Sequence, residues 1–296
     1  MTINRRRAPS SKISKEKKIA GHKREDEYAL LISGKTIPGT GKSDIKDPNG
    51  LFHSVKSGKK WQVFLYGHQR ISTCSHLFIL SSCLDSFTTD AQKYFSDREK
   101  CIEFKESYVR QHGKDKAKVL SNDVVKNNLG DNVYMQSKEK LALETAKVCE
   151  KLHNKTELRL FLREALFNNG EVSFLAIKDT TYKNDQLFKV FEQSDVLDLL
   201  ADKLFACVSD AGHVPEDYNV KGQKVLLCYY KDSKKKNIVE IEVRNDSKIH
   251  YRQIRFNMYS KDVLYLLLEK NVKFQVKKLC DGVILYGNAI GALNPK

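Results

Sequence analysis

The chain reads Lys42-Ser43-Asp44-Ile45-Lys46-Asp47-Pro48-Asn49-Gly50-Leu51-Phe52-His53-Ser54-Val55-Lys56 near its N-terminus. Within this stretch, D-P-N-G is a turn sequence, because proline fixes φ at the second position and glycine accepts a positive φ. The flanking residues alternate as strands do. We therefore predict a β-hairpin whose short loop is closed by a G1 bulge.

The predicted hairpin brings a carboxylate, a hydroxyl and an ammonium group onto one face. In this register Asp47 pairs with Leu51, so Asp44 lies directly opposite Ser54. Because side chains alternate along a strand, Asp44, Ser54 and Lys56 project from the same face of the sheet. A carboxylate and a lysine on one sheet face suit the metal-assisted hydrolysis of a phosphodiester.

The segment before the hairpin has the pattern of a helix. We predict a helix from Gly21 to Ser33, with Tyr28, Ala29 and Ile32 on one apolar stripe. Glu25 lies on that same stripe and is therefore tilted toward the core. A core-facing carboxylate needs a partner, either a salt bridge or a metal ion.

The ordered set of these elements resembles the PD-(D/E)xK nuclease superfamily. It comprises the helix with its glutamate, the glycine-rich loop at 38–41, Asp44-Ile45, the hairpin, and Ser54-Val55-Lys56-Ser57. The order is similar to that of type II restriction endonucleases and of archaeal Holliday-junction resolvases, over roughly residues 20–70. The resemblance implies an α/β chain with a restriction-endonuclease-like core, in which helices flank a mixed central sheet.

The resemblance also implies a magnesium site. Asp44 would bind Mg²⁺, with Glu25 and Val55 as further ligands. Lys56 would stabilise the negative charge that develops on the phosphate or position the attacking water. Gln62 would add an oxygen ligand or contact the phosphate, since Gln62 and Tyr66 fit a Q-x-x-x-Y pattern that some members carry on a helix after the core strands.

Ser54 departs from the family pattern. The family usually has Asp or Glu at this position, and a serine hydroxyl is a poor substitute for a carboxylate on Mg²⁺. Some restriction enzymes that this pattern resembles have S-x-K and take a carboxylate from elsewhere. Here Glu25, or alternatively Glu27, is the expected replacement.

The net charge of +15 on 296 residues indicates a polyanionic partner, which we expect to be double-stranded DNA. Lys42 is one candidate contact. A second group lies on a predicted strand from Lys248 to Tyr259, where basic and aromatic residues alternate. Arginine recognises guanine, and Asn or Gln recognises adenine. The expected contacts on this strand are Arg252, Gln253, Arg255 and Asn257. A half-buried strand with a solvated polar face is the alternative interpretation.

Composition suggests three regions and an intracellular protein. We expect a basic flexible arm at 1–20, the nuclease core at 21–136, and an α/β portion at 137–296 for DNA recognition or dimerisation. No apolar run reaches the roughly 20 residues of a membrane span. The seven cysteines are scattered without a CxxC pair, which is typical of reduced thiols in the cytoplasm.

These observations predict a type II restriction endonuclease, a Mg²⁺-dependent enzyme that cuts both strands of DNA at a short sequence. A homodimer is expected because one active site cuts one strand. Two alternatives stay open. One is a structure-specific nuclease of the junction-resolvase kind, and the other is a non-catalytic DNA-binding protein on a nuclease fold.

Overall fold

A computed structural model describes residues 11–39, 41–67, 103, 107–113, 133–178, 186–209, 224–243, 253–269 and 274–293. The helices are α1 (Ser11–Leu31), α2 (Val133–Lys151), α3 (Lys155–Phe167), α4 (Gln193–Lys203), α5 (Ser260–Glu269) and α6 (Ala289–Ala292), with a 3₁₀ turn at Asn168–Gly170. The first six strands are β1 (Lys35–Thr36), β2 (Ile45–Lys46), β3 (Phe52–Ser57), β4 (Lys60–Gly67), β5 (Val172–Lys178) and β6 (Phe188–Glu192). The others are β7 (Phe205–Val208), β8 (Lys224–Lys231), β9 (Lys234–Val243), β10 (Gln253–Tyr259), β11 (Val276–Cys280) and β12 (Val283–Tyr286).

The strands form two sheets. A seven-stranded sheet has the order β1-β2-β3-β5-β6-β12-β11, and a five-stranded sheet has the order β4-β10-β9-β8-β7. In the larger sheet β3 runs parallel to β5 and β12 runs parallel to β6, whereas the other pairs are antiparallel. The predicted α/β class with a mixed sheet and helices is therefore confirmed. Across the described ranges, no helix is both long and apolar enough to cross a membrane.

The chain divides into two compact units, each made of separate segments. One unit comprises 1–61, 162–200 and 259–296, and the other comprises 62–161 and 201–258. This division differs from the predicted continuous regions at 1–20, 21–136 and 137–296. The reason lies in the pairing of β3 with β5, which joins stretches far apart in the sequence. Composition does not record such a pairing.

The predicted hairpin is confirmed as β2 and β3. Ile45 pairs with His53, as the predicted register requires. The Asp47 amide donates to the Leu51 carbonyl at 2.9 Å and the Gly50 amide to the Asp47 carbonyl at 3.0 Å. Gly50 has a φ of +87°, a conformation that glycine adopts without strain.

Helix α1 covers one face of the larger sheet. Tyr28 and Ala29 are buried in a core cluster with Ile45, Val55 and Phe174. The Tyr28 hydroxyl also lies 3.1 Å from Nδ1 of His53. Because side chains alternate along β3, the face that carries His53 and Val55 is opposite the face that carries Ser54 and Lys56.

Helix α1 begins at Ser11, ten residues before the predicted start at Gly21. Residues 11–20 of the expected arm are therefore helical, while residues 1–10 lie outside the described part. The physical reason is composition, since Lys, Glu and Ala in this stretch favour a helix and there is no proline between Pro9 and Pro38.

The segment from Trp61 to Tyr66 is a strand, where we predicted the start of a helix. Trp61, Phe64 and Tyr66 are buried, and Gln62 is exposed. Aromatic and β-branched residues favour a strand here. A tight turn at Gly58, where φ is +80°, connects the end of β3 directly to the start of β4.

Candidate active site

Asp44, Ser54 and Lys56 meet on one face of the β2–β3 hairpin. Ser54 Oγ donates to Asp44 Oδ2 at 3.1 Å, and Lys56 Nζ donates to Ser54 Oγ at 2.6 Å. Lys56 Nζ also lies 3.4 Å from Asp44 Oδ2. The hydroxyl therefore connects the lysine to the carboxylate, giving one hydrogen bond and accepting another.

The Asp44 carboxylate is held through one of its two oxygens. Oδ2 accepts from Ser54 Oγ, from Lys56 Nζ and, at 2.6 Å, from the backbone amide of Val55. In the part of the chain that the structure describes, no hydrogen bond ends on Oδ1. The carboxylate thus has a fixed orientation and one oxygen available for a further ligand.

The three side chains differ in their access to solvent. Ser54 is 1% exposed. The side chains of Asp44 and Lys56 are 17% and 21% exposed. The serine is enclosed within the sheet, whereas the side chains of Asp44 and Lys56 are partly exposed on the same face.

Val55 turns its side chain into the core on the opposite face, where it is 7% exposed. Only its backbone carbonyl can therefore act as the predicted metal ligand. That oxygen accepts a hydrogen bond from Lys56 Nζ at 3.2 Å. The carbonyl thus belongs to the same cluster as the Asp44 carboxylate.

The loop before Asp44 is tied to the segment that leads into β5. Ser43 Oγ donates to Glu171 Oε1 at 3.2 Å. Glu171 also accepts from the Asn168 side chain. Lys42 Nζ donates to the backbone carbonyl of Ala165. The sequence did not predict a role for Glu171, because its contact with Ser43 depends on the parallel β3–β5 pairing. No residue near either position in the sequence indicates that pairing.

The two glutamates of α1 have partners other than Asp44. Glu25 Oε2 lies 2.9 Å from Nδ1 of His22. Glu27 contacts Lys178 and Arg24. Burial raises the pKa of Glu27, but hydrogen bonds from Lys178 and Arg24 outweigh this and leave the pKa below its ordinary value.

The position of α1 explains why these glutamates are not brought to the cluster. The apolar residues of α1 pack on the sheet face opposite Ser54 and Lys56. Among the described contacts, none joins Glu25 or Glu27 to Asp44. The stripe that carries Glu25 was identified correctly as the core-facing one. However, this core lies on the sheet face opposite the one that carries Ser54 and Lys56.

Gln62 does not join the cluster in the way we predicted. It lies on β4 rather than on a helix, its side chain is exposed, and it belongs to the other compact unit. The Q-x-x-x-Y spacing suits one face of a helix. In a strand, the same spacing places Gln62 and Tyr66 on one face of the sheet, with Phe64 between them.

The predicted DNA-contact strand is largely covered. Asn257 is 4% exposed, and the Arg255 guanidinium is bonded to Glu242. Gln253 is half-buried, and its side-chain oxygen is enclosed. The expectation of an open, groove-facing surface is therefore wrong for Asn257. Arg252 lies outside the described residues.

The wrong expectation for β10 has a clear cause. The strand is an inner one, between β4 and β9. Its polar side chains therefore have side chains of two neighbouring strands beside them on the same face, as Arg255 has Glu242. Lys42 stays a predicted contact, and its ammonium group donates to a backbone carbonyl of α3.

The chemistry of the cluster fits a divalent cation held by few protein ligands. Within the described ranges, no three His, Cys, Asp or Glu side chains lie together as a metal-binding group. One carboxylate oxygen is nevertheless a usual protein contribution to Mg²⁺, which keeps several waters and binds substrate phosphates directly.

Neither a protein-family model, nor a curated protein, nor a solved structure matches this chain. The interpretation of the cluster therefore depends on its own geometry and on the chemistry of its side chains.

Proposed function

We propose that this protein is a Mg²⁺-dependent nuclease that hydrolyses phosphodiester bonds in DNA. The observation that carries the proposal is the contact of Asp44, Ser54 and Lys56 on one sheet face, at 2.6 to 3.4 Å. A carboxylate for a hard metal ion and an ammonium group for a phosphate lie side by side. Both are accessible from the same side of the hairpin.

Mg²⁺ would be held by Asp44, through its Oδ1 atom, and by the Val55 carbonyl. When bound, the metal ion polarises the scissile phosphate and lowers the pKa of a water molecule. The chain's own contribution is to fix the carboxylate. The Val55 amide and the Ser54 hydroxyl together hold it in one orientation.

Lys56 would stabilise the charge that develops on the phosphate oxygens. A positive charge that is already in place lowers the barrier most, because no reorganisation is needed during the reaction. Ser54 acts here as a positioning residue. Its oxygen accepts from Lys56 Nζ at 2.6 Å and restricts the ammonium group to the neighbourhood of Asp44.

The architecture around the cluster supports the resemblance to the PD-(D/E)xK superfamily. The cluster lies on a mixed sheet, α1 packs on one face of that sheet, and α3 leads into β5, which runs parallel to β3. We propose on this basis a restriction-endonuclease-like core. The superfamily's acidic residue at position 54 is replaced by a serine, so the site contributes one carboxylate instead of two.

The proposed substrate is double-stranded DNA, and the net charge of +15 supports a polyanion. A type II restriction endonuclease is the specific form that we propose, acting as a homodimer with one site for each strand. A non-catalytic DNA-binding protein is the second candidate. It is favoured by the single carboxylate found in the described part of the cluster.

Plasmid digestion separates these possibilities. The full chain is incubated with plasmid DNA and Mg²⁺, and in parallel with EDTA. Discrete Mg²⁺-dependent fragments support sequence-specific cleavage, and a smear indicates a nuclease without sequence specificity. A shift of the DNA in a native gel without any cleavage would leave only the non-catalytic binder.

Variants of the cluster test whether it is the active site. Asp44→Asn and Lys56→Met should abolish cleavage and keep the gel shift. Lys46→Met is a matched control, because Lys46 lies on the same hairpin with its ammonium group 5.5 Å from the Phe52 ring centre, outside the cluster. Normal cleavage by either cluster variant would exclude this site.

A further inference from the structure

The end of the β8–β9 hairpin combines an exposed aromatic ring with several lysines. The strands are joined by a tight turn at Asp232 and Ser233, whose φ values are 49° and 60°. Lys231 pairs with Lys234, and Tyr230 pairs with Lys235. We call residues 230–236 the hairpin tip.

Tyr230 forms an exposed stacking surface at this tip. Its side chain is 63% exposed, although it is a large aromatic residue. Its ring stacks on the ring of Phe205, with the centres 5.0 Å apart and the planes at 21°. Phe205 on β7 therefore supports the tyrosine ring from the side of the sheet and limits its movement.

Three lysines on β9 add positive charge to the tip, with Lys235 on the same face as the Tyr230 ring and Lys234 and Lys236 on the other face. Lys234, Lys235 and Lys236 are all exposed. In the described part of the chain, no salt bridge joins any of them to a carboxylate. Asp232 is the one acidic residue of the tip. Because Lys235 lies directly opposite Tyr230, its ammonium group is within reach of any phosphate attached to a base stacked on that ring.

We propose that the hairpin tip binds unpaired nucleotides of single-stranded DNA. Aromatic rings beside positive charge bind single strands, because each base stacks on a ring and each phosphate meets a cation. A duplex hides its base faces within its own stack and offers only phosphates to this surface. The choice of DNA over RNA rests on the proposed function.

This inference adds a substrate feature to the proposed nuclease. A strand held at the tip would be unpaired, as in a branched, nicked or frayed DNA. The tip would bind such an unpaired strand in addition to the duplex that is cut at the Asp44 cluster. The tip and the Asp44 cluster belong to different compact units, so each can be tested without the other.

Fluorescence anisotropy with a labelled oligo(dT) of about 15 nucleotides tests the proposal. The full chain is used without Mg²⁺, so that no cleavage occurs. Tyr230→Ala should weaken binding between about 5-fold and 150-fold, which corresponds to the loss of one stacked base. Tyr230→Phe keeps the ring and should bind like the original protein. Binding of a duplex of equal length should not respond to Tyr230→Ala, because its bases are already stacked on one another.

A lysine series tests the phosphate contacts separately. Replacing Lys234, Lys235 and Lys236 together by Gln should reduce the slope of log K against log salt by about 2, at about 0.7 for each phosphate contact. The matched control removes three exposed lysines on other elements, each paired with a carboxylate, and should leave the slope unchanged. These are Lys147, Lys203 and Lys278.

Several results would overturn the proposal. Unchanged binding by Tyr230→Ala would show that the ring does not stack on a base. Equal losses on oligo(dT) and on duplex would show that the tip does not select single strands, and tighter binding of oligo(rU) would assign it to RNA. The oligo(dT) measurement uses neither Mg²⁺ nor cleavage, so a failed cleavage test leaves this inference intact.

Discussion

Protonation of His53 should destabilise the folded chain as the pH falls below neutral. The imidazole is fully buried, with Nδ1 3.1 Å from the Tyr28 hydroxyl and Nε2 3.4 Å from Asp47 Oδ2. It also stacks on Phe174, with ring centres 4.7 Å apart. Burial lowers the pKa of His53 from 6.5 to about 4, and the nearby Asp47 only partly opposes this.

The size and sign of the effect follow from this pKa. The pKa of His53 falls from 6.5 to about 4 on folding, and one pKa unit corresponds to about 1.4 kcal/mol, which gives about 3 kcal/mol. The unfolded chain binds the proton more tightly than the folded chain does. This contribution to stability is therefore complete above pH 6.5 and is lost progressively as the pH falls to 4.

Urea unfolding at a series of pH values from 4 to 7.5 measures this dependence. Other groups titrate in the same range, so the informative quantity is the difference between the original protein and His53→Phe. The variant keeps an aromatic ring against Phe174 but cannot be protonated. Over this pH range, the free energy of unfolding of the variant should fall by about 3 kcal/mol less than that of the original protein. If the free energy of unfolding of both proteins changed equally with pH, the reasoning would be refuted. His22→Phe serves as the control, because the His22 side chain is exposed.

Further substitutions test particular contacts of the hairpin and of α1. Ser54→Ala removes the link to Lys56 and should lower the cleavage rate about tenfold or more, with a loss of about 1 to 3 kcal/mol in urea unfolding. Gly34→Ala would bring its Cβ to 2.9 Å from a backbone oxygen of β2, and calorimetry should show a loss of about 1 to 3 kcal/mol. Glu27→Gln leaves the buried Lys178 without its anionic partner and should lower the thermal midpoint, whereas Glu27→Asp should partly restore it.

Local turn chemistry was sufficient to predict the hairpin and its register. A proline and a glycine at defined turn positions leave few ways to join the two strands, and the alternation then follows. The meeting of Asp44 with Ser54 and Lys56 depends on these local rules alone. This is why it could be predicted from fifteen consecutive residues.

Long-range pairing could not be predicted in the same way. The parallel pairing of β3 with β5 brings Glu171 to Ser43, and nothing near either residue in the sequence indicates the other. The same pairing makes both compact units discontinuous. Changes in composition along the chain can mark only continuous regions, so they do not indicate the boundaries of the two discontinuous units.

Burial was the other property that the sequence could not show. The strand around Asn257 alternates as a half-exposed strand does, yet it lies between two other strands and Asn257 is buried. Conversely, the lysine-rich turn near Tyr230 has the composition of an ordinary solvated loop. Only its pairing with β9 and its stacking on Phe205 reveal the surface that it forms.

The single-turnover rate of Mg²⁺-dependent DNA cleavage tests the central claim most directly. The original protein and Asp44→Asn are compared at protein concentrations that saturate a labelled DNA fragment, so that differences in DNA binding do not contribute. Loss of the metal-binding carboxylate should reduce the rate by roughly a thousandfold or more while DNA binding is retained. Equal rates for the two proteins would contradict the claim that Asp44 and Lys56 form the centre of hydrolysis.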